Sequence, residues 1–319
     1  MKKIGLFLLM VVGIAAYAQQ SDSNPPETSP SGTVFTSASF PMERIQTPTP
    51  ADLYCAGFIS RDLVPNANFV AGALHTPNTT KYVNGDMIYL SGSGYQAGQQ
   101  YTILRELRDP NQYELFAGQH HMINEAGQPY SELARVRVID TRSKSAIAQV
   151  EFSCDPVNPG DIAVPFAEKP AVSFRPAIRF DRFAPSNGKL TGRIIMAKDF
   201  DSEIGTGTKV YLNVGATQGV KAGDYFRTFR PYETDLHDDV DSLSFKASTS
   251  EDTQKYLPAI EPKMFTTTKG AVIHVADLPR RALGEVVIIS TTPTTSTGMV
   301  VFSLEDIHVG DNVEVDSQE

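Results

Sequence analysis

Two stretches of this 319-residue chain repeat one another, and a repeat constrains a fold more tightly than composition does. Asn84-Gly85-Asp86-Met87-Ile88-Tyr89-Leu90 leads into Tyr95-Gln96-Ala97-Gly98-Gln99-Gln100-Tyr101 and ends at Arg105. Thr206-Gly207-Thr208-Lys209-Val210-Tyr211-Leu212 leads in the same way into Val220-Lys221-Ala222-Gly223-Asp224-Tyr225-Phe226 and ends at Arg230. Tyr89 pairs with Tyr211, and Gly98 with Gly223. Leu133 to Val138 then matches Leu283 to Ile288, and Asn158-Pro159-Gly160-Asp161 matches His308-Val309-Gly310-Asp311, both 150 positions on. The upstream pieces Val70-Ala71-Gly72 and Leu190-Thr191-Gly192 align as well. One module is written twice.

Each copy reads as β-structure. In Ala146 to Phe152, the residues Ala148, Val150 and Phe152 share one face and Gln149 and Glu151 the other, the period of a half-buried strand. The Gly-Asp steps at 85, 160, 223 and 310 mark turns. Pro159 presets φ at the first central position of a type II turn, and Gly160 supplies positive φ at the second. Short strands with such turns point to two homologous small barrels, an all-β fold. Clear helical period is absent, apart from a short candidate helix within Ser250 to Tyr256.

Val210-Tyr211-Leu212-Asn213-Val214-Gly215, followed by Gly219-Val220-Lys221-Ala222-Gly223-Asp224, resembles the C-terminal SH3-like β-module of the flagellar assembly protein T family. It is also similar to the β-modules that follow LysM domains in some proteobacterial envelope proteins. Leu283-Gly284-Glu285-Val286 and Val309-Gly310-Asp311 stand in the expected order, and the match covers about half of each module. The resemblance implies SH3-like barrels and an envelope-associated, non-catalytic role. No LysM-like segment is present, so peptidoglycan binding does not carry over, nor does a flagellar partner.

Lys2 and Lys3 precede an apolar run from Ile4 to Ala16, closed by Ala16-Tyr17-Ala18. This is the pattern of a bacterial secretory signal peptide over 1–18, shorter than the ~20 residues that a membrane span needs. The mature chain is expected in the periplasm or outside the cell, without a transmembrane segment. Residues 19–52, rich in Ser, Thr and Pro, read as a disordered tether. The first module takes 53–165 and the second 166–319, with an insertion around 231–278. Cys55 and Cys154 are the only cysteines and bracket the first module, so an oxidising compartment predicts a disulfide between them.

With 37 acidic against 28 basic residues, a net charge of −9 argues against nucleic acid as a partner. No nucleophile elbow, P-loop or zinc-protease motif is present. His120 and His121 lack a ligand partner at metal spacing and read as loop histidines. His237-Asp238-Asp239 with Asp241 reads as a solvated acidic loop. No catalytic residue, cofactor or metal is assigned, and the chain reads as a non-enzyme.

Two features point to partner binding. Arg175, Arg179, Phe180 and Arg182 belong to a basic-aromatic segment, the reading being an ordinary first strand, an edge for strand addition by a partner, or an Arg surface for an anionic one. Outward residues Arg135, Arg137, Gln149 and Glu151 of the first module become Glu285, Val287, Met299 and Val301 in the second. An apolar outer face is normally covered. The insertion, with Tyr256, Leu257, Ile260, Met264 and Phe265, is expected to fold over it; otherwise Val287, Met299 and Val301 form a partner site. The function expected is an exported envelope scaffold or adaptor, binding another envelope protein through sheet edges and inter-module surfaces. A carbohydrate- or peptidoglycan-binding protein and a hydrolase with dispersed catalytic residues are the alternatives.

Overall fold

The computed structural model describes residues 46–316, except residues 75, 77, 79, 112, 173–179, 231–258, 262–271 and 275–279. A short helix α1 (Pro50–Tyr54) and strand β1 (Phe58–Ser60) lead into the first barrel. It consists of β2 (Phe69–Ala73), β3 (Met87–Ser91), β4 (Gln100–Glu106), β5 (Gln128–Arg142), β6 (Ser145–Ser153) and β7 (Ile162–Pro165), with helix α2 (Gln119–Ala126) between β4 and β5. The second barrel consists of β8 (Thr191–Ala197), β10 (Lys209–Leu212), β11 (Tyr225–Arg230), β14 (Arg281–Thr291), β15 (Ser296–Ser303) and β17 (Asn312–Val315). Two small pairs accompany it: β9 (Glu203–Ile204) with β16 (Ile307–His308), and β12 (Ala259–Glu261) with β13 (Val272–His274).

The duplication holds in three dimensions. Strands run β5-β4-β7-β2-β3-β6 around the first barrel and β14-β11-β17-β8-β10-β15 around the second, the same cyclic order copy for copy. Register agrees too, with Val136 opposite Val150 and Val286 opposite Val300. Both hairpins carry bulges at matched places, between Arg135 and Val136 and again between Glu285 and Val286. These bulges bend the long strands β5 and β14 so that a sheet can close on itself. The first bulge also ends the alternation of β6 at Val150, leaving Phe152 opposite Arg135 and only half-buried.

One correction concerns the upstream alignment. Val70 pairs with Leu90, and Ile194 pairs with Leu212. Val70 therefore matches Ile194, four residues beyond the Leu190 that the sequence comparison gave it. Each interior is filled by matched side chains: Val70, Leu90, Val136 and Val150 in one, Ile194, Leu212, Val286 and Val300 in the other.

The turns explain the Gly-Asp steps more fully than glycine alone does. Gly160 and Gly310 sit at φ +93° and +106°, a region costly for any residue with a Cβ. The Asp that follows donates its N–H back across the turn, Asp161 to Asn158 O and Asp311 to His308 O. Its carboxylate in turn accepts the N–H of the first turn residue, from Asn158 at 2.6 Å and from His308 at 2.7 Å. Asp86 and Asp224 do the same for Val83 and Lys221.

Candidate functional site

The two barrels meet through residues 46–60, a strap that the sequence divides between tether and first module. Helix α1 forms on local chemistry: Thr49 caps the Asp52 N–H, Asp52 accepts the Thr49 N–H at 2.8 Å, and Pro50 occupies the first turn. Leu53 and Ala56 then pack with Val287, Ile289, Met299, Val301 and Tyr225 on the outside of the second barrel. Lys209 pairs with Asp52, and the Gln46 N–H donates to Val301 O at 2.8 Å. Past Gly57 the strap changes hosts, and β1 pairs with the start of β5, Phe58 opposite Tyr130.

Val287, Met299 and Val301 are thus at most 1% exposed. They are core, and no partner reaches them in this state. Their described cover comes from Leu53, Tyr54 and Ala56, at the start of the expected first module, and from Val172, near the start of the second. Of the insertion named for that task, only Ala259–Glu261 and Val272–His274 are described, as the parallel pair β12–β13. Each buried aliphatic side chain is worth roughly 1.5–3 kcal/mol, so a strap of a few residues suffices.

The covered face continues onto β8 and β10. Ile59, with Ile123 and Ala126 of α2, packs against Ile195, Met196 and Tyr211. Polar groups at this seam are matched: Tyr211 donates to Ala56 O at 2.8 Å, Thr297 to Gly57 O at 3.0 Å, and Thr295 to Ile59 O at 2.8 Å. The Gln119 amide reaches Ile195 O at 3.1 Å. Burial pushes the Tyr211 hydroxyl pKa up, and the charges of Glu132 and Asp199 add to it, so the phenol stays protonated as a donor. Glu132 accepts Lys169 Nζ at 2.6 Å and the Gly57 N–H at 3.1 Å. Cys55 and Cys154 form the expected disulfide, Cα to Cα 5.7 Å, which ties the strap to the end of β6.

His120 and His121 lie on α2, not in a loop. The helix escaped the sequence reading because it is two turns long and begins at Gly118 without a side-chain cap. His120 lies 3.8 Å from Asp109 and from Glu114, and His121 lies 3.4 Å from Glu125. No group of three His, Cys, Asp or Glu side chains among the described residues is placed to hold a metal.

Of the basic-aromatic segment, Phe180 packs edge-on against Phe302 at 4.8 Å, with the Arg227 guanidinium 5.2 Å from its ring. Arg182 pairs with Glu305, while its carbonyl accepts the Ala282 N–H at 2.9 Å. The stretch lies beside the start of β14 as β1 lies beside β5. Phe183, the next residue, is 53% exposed. Arg175 and Arg179 lie outside the described residues, as do the signal segment, leader residues 19–45, the acidic loop at His237 and the candidate helix at 250–256. Both barrels are closed, so their strands offer no free edge to an incoming partner.

Sequence comparison missed one duplicated constellation. Arg105 binds Asp161 through Nε and Nη2, both at 2.8 Å, and Pro156 O at 2.9 Å. Arg230 binds Asp311 the same way at 2.7 Å, and Asp306 O at 3.1 Å. All four residues stood in the matched segments, and an Arg and an Asp each kept in both copies was the available signal. These fork-shaped pairs fasten the turn before β7 and β17 to β4 and β11, a structural duty. No protein-family model matches the chain, and no curated protein matches it in sequence.

Proposed function

We propose that this protein is a non-enzymatic scaffold or adaptor of the bacterial envelope, exported by its N-terminal signal and binding another envelope protein. The observation carrying this reading is the seam between the barrels. Its ionisable groups are engaged in fastening the strap and the connecting segment to the barrels: Tyr211 on Ala56 O, Glu132 on Gly57 and Lys169, Asp52 on Lys209. Side chains committed in this way build a rigid platform. The disulfide fits an oxidising compartment. No described helix is long and apolar enough to cross a membrane. The likeness of both copies to SH3-like envelope modules supports the same role.

Closed barrels and a filled seam move the binding surface away from sheet edges and inter-module contacts. It belongs on the outer faces and loops, including Arg182 and Phe183 ahead of β8. The test is cross-linking of the chain in envelope fractions, followed by identification of the captured protein. A specific envelope protein lost on Arg182→Glu or Phe183→Glu is expected. Co-sedimentation with purified sacculi in the absence of protein partners would replace this reading with the peptidoglycan one.

A further inference from the structure

Residues 46–56 lie in a slot that both barrels build. On one wall Leu53 and Ala56 pack on the second barrel, Asp52 pairs with Lys209, and the Gln46 N–H donates to Val301 O. The first barrel and its outgoing chain supply the other wall. Phe166 lies 5.4 Å from the Tyr54 ring, the Arg135 guanidinium sits beside both rings, and Lys169 Nζ donates to Leu53 O at 2.8 Å. The strap's own order is local, since Thr49 and Asp52 cap α1 from within it. A strap arriving from a second copy would therefore meet the same slot with the same contacts.

Gly57 is the joint between this strap and β1. Its φ is +70°, and a Cβ there would stand 2.5 Å from Tyr130 O, so the chain changes hosts at a residue that only glycine fits. Glycine also has the widest choice of other backbone angles, which is what a hinge requires. Two residues earlier, the bond from Cys55 to Cys154 fixes the strap to its own first barrel. Both cysteines are partly exposed, within reach of a soluble thiol or disulfide. While that bond is open, residues 46–56 can turn about Gly57 as a unit.

We propose that the strap exchanges between two copies of this chain before the disulfide closes, each strap covering Val287, Met299 and Val301 of the other copy, and that oxidation then fixes the exchanged form. Reciprocal exchange of one element gives a closed two-fold dimer. In that dimer Cys55 of one copy faces Cys154 of the other, so the bond forms between chains instead of within one. Each thiol gives up one electron and one proton, and a small disulfide such as oxidised glutathione takes them, leaving as two thiols. A chain's own strap competes at an effective concentration on the order of 1 mM. Exchange therefore wins only where the reduced chain is concentrated. The inference rests on the strap and its slot and does not depend on any envelope partner.

The test reduces the purified mature chain, reoxidises it with oxidised glutathione, and reads covalent dimer on a non-reducing gel. The wild-type dimer share is expected to rise by roughly tenfold or more between about 1 μM and about 1 mM chain. Cys55→Ser keeps only Cys154, and Cys154→Ser keeps only Cys55. At the higher concentration each variant alone is expected to give little dimer, whereas the two mixed form one bond between chains. Leu53→Asp added to Cys154→Ser is expected to cut that mixed dimer by roughly tenfold, because the exchanged strap then carries a charge into an apolar contact. A chance encounter of two exposed thiols would not be cut. Asp52→Lys, which sets two cations against each other at Lys209, repeats this arm if Leu53→Asp does not fold. The proposal is overturned if wild type closes its bond within one chain at every concentration. It is equally overturned if either cysteine variant pairs with itself as readily as the two pair together, or if the strap substitutions leave the mixed dimer unchanged.

Discussion

At the scale of single residues, each barrel has an arginine on one strand that holds the aspartate of a neighbouring turn. Asp161 and Asp311 are each 5% exposed, and their guanidinium partners are about a third exposed or less. Truncating the arginine leaves a buried carboxylate holding only its turn N–H, at a cost of about 2 kcal/mol. Arg105→Ala and Arg230→Ala should each lower the unfolding free energy obtained from urea titration by that much. Because the two pairs sit in different barrels and share no partner, the double variant should show the sum. A double variant no worse than either single one would mean that the barrels do not carry these pairs independently. Sequence spacing showed that both residues recur and gave no indication that they touch. Contact across a turn depends on which way the strands return, and that is set by barrel closure.

Among elements, the strap decides most. Its helix has a single turn, too short for any periodic pattern, and its apolar residues Leu53 and Ala56 stand just past a Pro-rich tether, at the boundary of the expected first module. The longer insertion, with its several apolar residues, is therefore the cover that the sequence suggests for Val287 and Val301. The strap also brings a pH dependence. Burial alone would raise the Asp52 carboxyl, but hydrogen bonds from Lys209 and Thr49, together with the Lys209 charge, hold it below its ordinary value. A carboxyl lowered on folding stabilises the folded state fully above its unfolded pKa of about 3.9 and loses that contribution as pH falls through the folded value. Asp52→Asn should therefore lower the melting temperature at neutral pH. The gap to wild type should close as the medium is taken below about pH 4. A gap unchanged across that range would show that the Lys209 pair does not stabilise the strap. Val301→Glu places a carboxylate under Leu53 and Ala56, where Glu151 sits at the equivalent position of the first barrel, partly open to solvent. A loss of more than about 2 kcal/mol is expected in denaturant unfolding; a neutral effect would mean that the strap lifts easily.

For the whole molecule, the disulfide and the seam act together. Cys55 and Cys154 stand 99 residues apart, and closing such a loop stabilises by up to about 4.7 kcal/mol in the chain-entropy view. Because the bond grips the strap, reduction should also free the segment that covers the second barrel. The expected result in a reducing agent is a lower unfolding midpoint, with amide exchange rising first over residues 46–60. Denatured, unreduced protein should titrate no free thiol; two would refute the bond. Increased exchange confined to β5 and β6 would mean that the disulfide serves the first barrel alone.

The sequence by itself determined what depends on local chemistry and on repetition. Gly160 and Gly310 require turns because only glycine takes their backbone angles cheaply. Alternation in β6 requires a strand, and the 150-residue spacing from Leu133 to Gly160 requires two copies of one fold. Cys55 and Cys154, the only two cysteines, were enough to predict the disulfide that they form. Tertiary structure alone decided the four-residue correction that matches Val70 to Ile194, since a run of small and apolar residues aligns equally well in several frames until hydrogen bonds select one. It also decided that His120 and His121 are helical, because eight residues gain their helicity from packing Ile123 and Ala126 against the other barrel. And it decided which segment covers Val287, because burial is a property of whatever lies nearest in space. Nothing in the local pattern of Leu53 says what it lies against.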